Sequence, residues 1–338
     1  MKKEEKNQLK KTRGKKLWIG LVSAALAFVF LGGLSSVLSH AIYGRSLAAT
    51  VYMYGELAKE HHNSYEEEVR KLESIKAAPE ETYKLPKSFK FYCGHTIKTE
   101  EGMQVYYVNP SAKSDLVLFY IHGGAYVAEP AKAQWSLLDK IAKQTGVEVV
   151  APIYPLAPHH TYEEAYEKLL AQYTAWRLAN PGKTVVFMGD SAGGGLALGR
   201  MQRLRDSGSA LPSKAVLLAP WVDLALNNPD IQNYEAADPL LSAGFLKADA
   251  EAWAGETDVS DGKVSTLNAD LSGLPETLIV QGTADIFYPD VMLLADKMKA
   301  AGVSVKTLIG KNLPHVYSIL TVPESRKSVS VICSFIQS

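Results

Sequence analysis

The residue with the clearest chemical potential in this sequence is Ser191, which lies in the segment Met188-Gly189-Asp190-Ser191-Ala192-Gly193-Gly194. An apolar run at 184–187 precedes the segment and a helix-compatible run at 196–201 follows it, which predicts a strand, a tight turn and a helix. A serine in such a G-x-S-x-G turn projects its hydroxyl above the sheet. The segment therefore predicts nucleophilic serine chemistry, and a serine hydroxyl is a weak nucleophile until a base takes its proton.

The order of residues along the chain selects the base. In a strand–turn–helix arrangement of this kind the serine is followed by an acid and then by a histidine. The sequence contains eight histidines: His40, His61, His62, His95, His122, His159, His160 and His315. Only His315 follows the serine, in a loop after the strand-like run 303–309. It is therefore the predicted general base.

The acid that would orient this histidine is predicted to be Asp285, with Asp290 as the alternative. The run 277–282 has the pattern of a buried strand, and Asp285 lies just past its carboxyl end, where open α/β sheets collect functional groups. Asp290 fits better as a negative charge in the first turn of the following helix. The acid would fix the tautomer of His315 and stabilise its protonated form.

A second glycine-rich loop, His122-Gly123-Gly124-Ala125-Tyr126, follows the apolar strand 116–121. Such a loop supplies backbone N–H groups that bind the negatively charged oxygen of a tetrahedral intermediate. The predicted donors of this oxyanion hole are the N–H groups of Gly123, Gly124 and Ala192. The side chain of His122 is expected to brace the loop and not to act as a base.

Taken together, these motifs resemble the bacterial hormone-sensitive-lipase-type carboxylesterases of the α/β-hydrolase superfamily. The resemblance extends over roughly residues 87–338, and the matching segments appear in the order of that family: His122-Gly123-Gly124-Ala125-Tyr126, Tyr154-Pro155-Leu156-Ala157-Pro158, Gly189-Asp190-Ser191-Ala192-Gly193-Gly194, Ala219-Pro220-Trp221-Val222-Asp223, Leu274-Pro275, Gly282-Thr283-Ala284-Asp285 and Ala301-Gly302-Val303.

The resemblance implies an acyl-enzyme mechanism, no metal, no organic cofactor and a helical cap over the site. Two departures concern the pocket. Pro155 stands where the family usually has an arginine, and the family's His-Gly-Phe is here His315-Val316-Tyr317. Neither departure removes a catalytic group, and both leave the substrate open.

The elements that must position these residues follow from the alternation of patterns. A first antiparallel pair is predicted at 89–98 and 103–109, and six further strands are predicted at 116–121, 147–152, 184–189, 214–218, 277–282 and 303–309. Helical stretches, including 162–179 and 324–336, alternate with them. This alternation predicts a mostly parallel, doubly wound eight-stranded sheet of the α/β class. The stretch 224–270 breaks the repeat, contains a predicted helix at 242–254 and is the candidate cap insertion.

The N-terminus adds a predicted membrane anchor. Residues 17–38 carry no charge, and this length spans about 33 Å as a helix, which matches a bilayer core. Eight basic residues and two acidic ones precede it, so the positive-inside rule places 1–16 in the cytoplasm and the catalytic domain outside. Cleavage as a signal peptide, giving a secreted protein, is the alternative, although the apolar run is longer than usual for one.

Composition limits the remaining possibilities. The chain of 338 residues has 36 basic and 36 acidic residues, which argues against a nucleic-acid partner. The two cysteines, Cys93 and Cys333, form no disulfide framework, and both are expected to be free, although the sequence leaves a bridge open. No cysteine/histidine cluster has metal-ligand spacing. The predicted organisation is a tail (1–16), an anchor (17–38), a helical stalk merging with the cap (39–86) and a hydrolase domain (87–338).

The predicted function is a membrane-anchored serine carboxylesterase that hydrolyses short-acyl esters. Its substrate would be a small-molecule ester or an ester on a glycan, and the oligomeric state is left open. A serine peptidase or amidase on the same fold is one alternative, since the same three side chains would serve it. A catalytically silent binding module is another, because a fold does not fix a function.

Overall fold

The structure, a computed structural model, describes residues 32–59 and 63–338. Its centre is one eight-stranded sheet. The strands are β1 (His95–Glu100), β2 (Met103–Val108), β3 (Leu116–Ile121), β4 (Glu148–Pro152), β5 (Thr184–Asp190), β6 (Lys214–Leu218), β7 (Glu276–Ala284) and β8 (Val305–Pro314). They lie in the order β1-β2-β4-β3-β5-β6-β7-β8. The first two pairings are antiparallel and all others are parallel, so the predicted eight-stranded, mostly parallel sheet is confirmed.

The central strands are apolar on both faces because helices cover both sides of the sheet. In β3, Val117 and Phe119 belong to one buried cluster, whereas Leu118 and Tyr120 belong to a second cluster on the opposite face. This alternation follows from the two-residue period of a strand. Because β3, β5, β7 and β8 run parallel within one sheet, their carboxyl ends lie at the same edge of the sheet.

Ten helices accompany the sheet in the described part of the chain. They are α1 (32–43), α2 (Leu47–Leu57), α3 (Tyr65–Ala77), α4 (Lys132–Thr145), α5 (Tyr162–Ala179), α6 (Ala192–Asp206), α7 (Ile231–Glu235), α8 (Ala243–Ala254), α9 (Tyr288–Ala300) and α10 (Pro323–Gln337). The helices α5, α6 and α9 contribute to the first buried cluster, and α4 and α10 contribute to the second. Each face of the sheet thus has its own core.

The stretch 224–270, predicted as a cap insertion, contains α7 and α8. Helix α3 packs against α8 and begins with a capping box, in which Ser64 and Glu67 each accept a hydrogen bond from the other's backbone N–H. This arrangement satisfies two N–H groups that a helix otherwise leaves without partners. The N-terminal segment and the insertion therefore meet over the site, although they lie far apart in sequence.

The first strand begins later than its pattern predicts. Residues 89–94 pack beside α4, where the side chain of Asp139 accepts hydrogen bonds from the N–H groups of Tyr92 (2.8 Å) and Cys93 (3.0 Å). The carboxylate replaces the partners that a ladder would provide, so pairing starts only at His95. Cys93 and Cys333 are both free thiols.

The predicted anchor at 17–38 and the tail at 1–16 lie largely outside the described residues, which begin at residue 32. In the part of the chain that the structure describes, no helix has the length and apolarity needed to cross a bilayer. Residues 32–43 form α1, which leads directly into α2.

Candidate active site

Ser191 lies at the turn between β5 and α6 in a backbone conformation that L-residues rarely adopt, with φ 54° and ψ −125°. A residue in such a region costs about 1–3 kcal/mol and persists only where its surroundings impose it. Here its N–H donates to Leu218 O (2.8 Å) and its carbonyl accepts from the Trp221 N–H (2.9 Å). A Cβ at Gly193 would lie 2.2 Å from Ile121 O, so a glycine is required where the helix crosses β3.

The structure brings the three residues selected from the sequence into one hydrogen-bonded line. His315 Nε2 lies 2.8 Å from Ser191 Oγ, and His315 Nδ1 lies 2.9 Å from Asp285 Oδ2. Asp285 is fully buried, and its other oxygen accepts a hydrogen bond from the Phe287 N–H at 2.9 Å. These distances suit proton transfer from the serine to the imidazole, with the carboxylate holding the imidazole in place.

The alternative acid, Asp290, has no contact with the histidine. It lies in the first turn of α9 and is 1% exposed, with the Asn228 side chain as its polar neighbour. Burial raises its pKa to about 6. Asp290 is therefore a buried carboxylate near the site that does not join the hydrogen-bonded line.

The electrostatic surroundings of His315 favour its protonated form. Burial alone would lower the pKa of the imidazole, but the Asp285 carboxylate, with Asp238 and Asp190 farther away, outweighs burial and raises that pKa above its usual value. An imidazole that takes a proton more readily is a stronger base toward the serine hydroxyl.

Asp238, which the sequence interpretation did not include, ties the cap insertion to the loop that carries Asp285. Its Oδ1 accepts from the N–H groups of Leu240 (2.8 Å) and Leu241 (3.0 Å), and its Oδ2 accepts from the Ile286 N–H (2.8 Å). The side chain is 1% exposed, and burial together with the nearby Asp285 charge raises its pKa to about 7. The only sequence signal was an Asp-Pro turn, which is common in loops.

One predicted oxyanion donor already has a partner within the protein. The N–H of Gly123 donates to Asp190 Oδ1 at 3.0 Å, and a hydrogen bond to a carboxylate is stronger than one to a neutral acceptor. This contact fixes the glycine-rich loop to the nucleophile turn. The role of Gly123 as an oxyanion donor stays a prediction.

The N–H groups of Gly124, Ala125 and Ala192, unlike that of Gly123, have no hydrogen-bond acceptor among the described residues. Ala192 is the first residue of α6, and the first N–H groups of a helix have no partner within the helix. Gly124 has φ +138°, and a Cβ there would lie 2.3 Å from Ala128 O. Ala125 itself has φ 52°. The loop is thus held in a strained shape with two successive free donors.

A buried polar network maintains this shape. The hydroxyl of Tyr120 donates to Asp190, and Gln134 Nε2 donates to Asp190 Oδ2 (3.0 Å) and to Gly123 O (3.2 Å). The desolvation of Asp190 raises its pKa, while these donors oppose that effect. Sequence reasoning missed Tyr120 and Gln134 because each lies on an ordinary buried element, β3 or α4, with no motif around it.

His122 braces the same loop, as expected from the sequence. Its ring stacks on Tyr154 with centroids 4.4 Å apart, and the Tyr154 hydroxyl donates to His122 O at 3.0 Å. Burial lowers the pKa of His122 to about 4, so the ring is neutral near pH 7. Its nitrogens have no contact with Ser191.

A cavity of about 390 Å³ opens onto Ser191 and His315. Its walls come from the glycine-rich loop, from the cap and from the segment after His315, and they are mainly apolar. The apolar lining residues are Ala125, Val127, Ala128, Ala131, Leu240, Leu241, Phe245, Leu246, Val316, Ile319 and Leu320. Within the described residues no group of three or more acidic, histidine or cysteine side chains could hold a metal ion.

The chain is similar to known hydrolases in both sequence and structure. A family model described as an alpha/beta hydrolase fold matches residues 118–319. An acetyl-hydrolase from Streptomyces hygroscopicus is 31% identical over 235 residues, which cover 68% of this chain and 78% of that protein. An esterase from Acinetobacter venetianus is 29% identical over 232 residues, which cover 68% of this chain and 77% of that protein. The crystal structure of a hormone-sensitive lipase from a metagenome library has a TM-score of 0.74 at 26% identity and covers 86% of this chain and 98% of its own.

Proposed function

This chain belongs to the alpha/beta hydrolase family and is a carboxylester hydrolase of the hormone-sensitive-lipase type, and we propose that Ser191 is its nucleophile. The observation that carries this proposal is the unbroken line of hydrogen bonds from Ser191 through His315 to Asp285. A serine, an imidazole and a carboxylate in this order form a catalytic triad, in which the imidazole takes the serine proton and the carboxylate stabilises the resulting imidazolium.

In the proposed acylation step, Ser191 Oγ forms a bond to the ester carbonyl carbon while its proton passes to His315 Nε2. The carboxylate of Asp285 accepts the hydrogen bond from Nδ1–H and stabilises the positive imidazolium. The tetrahedral intermediate then collapses, its bond to the alkoxy oxygen breaks, and the imidazolium gives its proton to the leaving alcohol.

The negative oxygen of this intermediate is proposed to lie on the N–H groups of Gly124, Ala125 and Ala192. The absence of internal acceptors for these donors supports the assignment, because donors that are already oriented need no reorganisation during the reaction. In deacylation, water loses a proton to His315 and its oxygen forms a bond to the acyl carbon. The bond from that carbon to Ser191 Oγ then breaks, the imidazolium returns its proton to Oγ, and the carboxylic acid leaves.

The proposed substrates are esters of short acyl groups. The name of the 31% identical relative, an acetyl-hydrolase, supports a short acyl group, and the apolar walls of the cavity support a substrate with little charge near its reacting carbonyl. Pro155 is buried and does not line this cavity, so the departure at that position does not alter the lining around Ser191.

The first test compares variants of the purified full chain on p-nitrophenyl acetate. Ser191→Ala is expected to lower kcat by roughly a millionfold, and Asp285→Asn by roughly ten-thousandfold because the histidine loses its orientation. Asp290→Asn is the matched control, since it removes a carboxylate that is equally buried but does not contact His315. Turnover that survives Ser191→Ala would overturn the proposal.

The second test distinguishes the alternatives by substrate. Esters with acyl chains of two to sixteen carbons and matched p-nitroanilides are compared on the same preparation, and short esters are expected to be preferred. A preference for the anilides would indicate an amidase or peptidase instead. Failure of Ser191 to react with a fluorophosphonate probe would indicate a silent binding module.

We also propose that residues 17–38 remain as a single membrane-spanning anchor, with 1–16 in the cytoplasm and the hydrolase domain outside. The support is the uncharged run and the basic residues before it. Membrane fractionation followed by mass determination of the mature protein tests this proposal. A mature chain that begins after residue 38 would show instead that the segment is a cleaved signal peptide.

A further inference from the structure

The segment that joins α1 to α2 is fixed to the hydrolase core by buried polar contacts. Arg45 is 6% exposed, and its Nη1 donates to Asn312 O at 2.5 Å. In return, Asn312 Nδ2 donates to Tyr43 O at 2.7 Å. Asn312 lies three residues before His315, so the chain leaving the predicted anchor is attached beside the active site.

A second set of contacts holds the start of α2. Glu324, at the beginning of α10, accepts from the Ser46 N–H (2.5 Å) and the Ser46 hydroxyl (2.8 Å). The hydroxyls of Ser39 and Thr50 lie 2.6 Å apart and link the end of α1 to α2. Because these groups are buried or half-buried and hydrogen-bonded to one another, they join α1 and α2 to the core at this point.

The outer surface of α1 and α2 is unusually apolar. Seven of the thirteen exposed large apolar side chains in the described residues lie between positions 34 and 57: Leu34, Val37, Leu38, Ile42, Val51, Tyr54 and Leu57. Val51 is 64% exposed and Leu57 is 44% exposed, and Glu56 is the only charged residue of α2. Exposed apolar side chains concentrated in one short segment indicate an interaction surface, whereas single scattered ones do not.

Two basic side chains lie beside α2. A cavity of about 590 Å³ beside Ala48 is lined by Lys140 from α4 and Arg326 from α10. Both side chains are exposed, and neither has an acidic partner among the residues described. Positive charges next to an apolar helix face suit a leaflet of anionic lipids.

The apolar segment also adjoins the active-site cavity. Leu320 lines both the basic cavity and the active-site cavity, and Tyr52, the neighbour of Val51 on α2, lines the active-site cavity as well. A surface that contacts lipid at Val51 and Leu57 therefore places the entrance of the active site close to the bilayer.

Leu34, Val37 and Leu38 belong to the proposed anchor itself, whereas Ile42, Val51, Tyr54 and Leu57 follow it. We propose that these four exposed side chains, with Lys140 and Arg326 beside α2, form a membrane face that lies on an anionic lipid leaflet. The active site then opens beside the lipid surface, and its substrates are amphiphilic esters held at that surface. The inference rests on the proposed anchor, since the apolar run 17–38 continues without a charge into α1 and would bring α2 to the bilayer.

The test uses the full chain in vesicles of phosphatidylcholine and phosphatidylglycerol. A Cys93→Ser background leaves only the buried Cys333, so Val51→Cys can be labelled selectively with a nitrobenzoxadiazole fluorophore. Leu178→Cys is the matched control, because Leu178 is 78% exposed near the end of α5, beside the amino end of β5 and opposite the active site. The label at position 51 is expected to be blue-shifted and quenched by nitroxide-labelled lipids, and the label at 178 is not.

Two results would overturn the proposal, and they are distinguishable. If the protein floats with the vesicles but the label at 51 is as unquenched as that at 178, the membrane face is wrong while the anchor stands. If the protein does not float with the vesicles, the anchor is wrong, and the membrane face is overturned with it.

An activity measurement checks the consequence for substrates. The double variant Val51→Ser/Leu57→Ser is expected to hydrolyse dioctanoylglycerol in vesicles roughly tenfold more slowly than the unmodified chain. Its hydrolysis of water-soluble p-nitrophenyl acetate should be unchanged, since neither residue lines the active-site cavity. Leu293→Ser, at an exposed apolar position on α9, is the control. Unchanged rates of the double variant on both substrates would contradict the proposal.

Discussion

At the scale of single residues, three buried carboxylates influence the imidazole of His315, and they do so in two different ways. Asp285 forms a hydrogen bond with the imidazole, whereas Asp238 and Asp190 act on it through charge alone. The rate constant kcat/KM should therefore fall as the pH decreases through the raised pKa of His315, because only the neutral imidazole accepts the serine proton.

Replacing Asp238 by Asn is expected to move this acid limb to lower pH. A negative charge stabilises the imidazolium and raises its pKa, so removal of that charge lowers the pKa and leaves the base neutral at more acidic pH. The expected shift is small, because the pKa of Asp238 is itself about 7 and its carboxyl group is only partly ionised where the limb falls. The measurement is the pH dependence of kcat/KM on p-nitrophenyl acetate. A variant that merely loosened the Ile286 loop would lose activity at every pH without moving the limb.

Asp290→Asn serves as the control for this shift, because Asp290 is as buried as Asp238 but does not act on His315. Its acid limb should coincide with that of the unmodified chain. An equal shift in both variants would show that the effect of Asp238 is not specific.

The sequence could predict Ser191, Asp285 and His315 as a group, because motif and chain order restrict each choice to one or two positions. It could not predict that the Gly123 N–H binds Asp190, since that contact depends on how β3 and β5 lie side by side. The role of Asp238 could not be predicted for a similar reason, because Asp238 lies in the cap insertion and contacts the N–H of Ile286, 48 residues later in the chain.

At the scale of elements, the glycine-rich loop after β3 depends on Gly124. A methyl group at this position would meet Ala128 O at 2.3 Å in a backbone region that L-residues avoid. Gly124→Ala is expected to displace the free N–H donors and lower kcat by about 10²–10³ on p-nitrophenyl acetate. Gly182→Ala, where nothing lies within 4 Å of the added carbon, should leave kcat unchanged. A fully active Gly124→Ala enzyme would contradict the assigned donors.

The contact between α3 and α8 predicts a pH-dependent stability. Asp249 is 3% exposed, and burial followed by the neighbouring Glu68 raises its pKa to about 8, while Lys71 opposes the shift. The folded state therefore holds a proton that the unfolded chain releases near pH 4. The contribution of protonated Asp249 to stability is complete below pH 4. As the pH rises toward 8, this contribution is lost, and the free energy of unfolding falls by up to about 1.4 kcal/mol per pH unit.

Asp249→Asn should flatten this dependence, which urea unfolding at pH 5 and pH 8 measures. The control is Asp296→Asn, because that carboxylate is 78% exposed. A variant Asp249→Asn with the same difference between the two pH values as the unmodified chain would show that Asp249 is ionised in the folded state at pH 5.

Among the elements, buried strands were predictable because apolar runs end where turn residues begin. The ends of β7 and β8 were not, since their pairing continues past the regular run to Ala284 and Pro314 through a register shift. This extension carries Asp285 and His315 on adjacent strand ends. No local pattern encodes it, because the shift is a property of the pair of strands and not of either sequence.

At the scale of the whole molecule, the substrate cavity is shared between the core and the cap. Phe245 of α8 forms part of its wall, so Phe245→Ala should enlarge the space near Ser191 and move the preference toward longer esters by several carbons. The ratio of kcat/KM for octanoate and acetate esters measures this change. Ala252→Gly, on the same helix but outside the cavity lining, is the control, and an unchanged ratio for Phe245→Ala would place the substrate elsewhere.

The polar junction between Tyr43, Arg45 and Asn312 has a mechanical consequence. Asn312 lies in β8 and His315 directly follows the end of that strand, so a displacement of α1 reaches the imidazole through two hydrogen bonds and three residues of chain. A chimera that joins a foreign leader in front of Gly44 would have to place a backbone carbonyl where that of Tyr43 accepts from Asn312 Nδ2, in order to keep His315 in position.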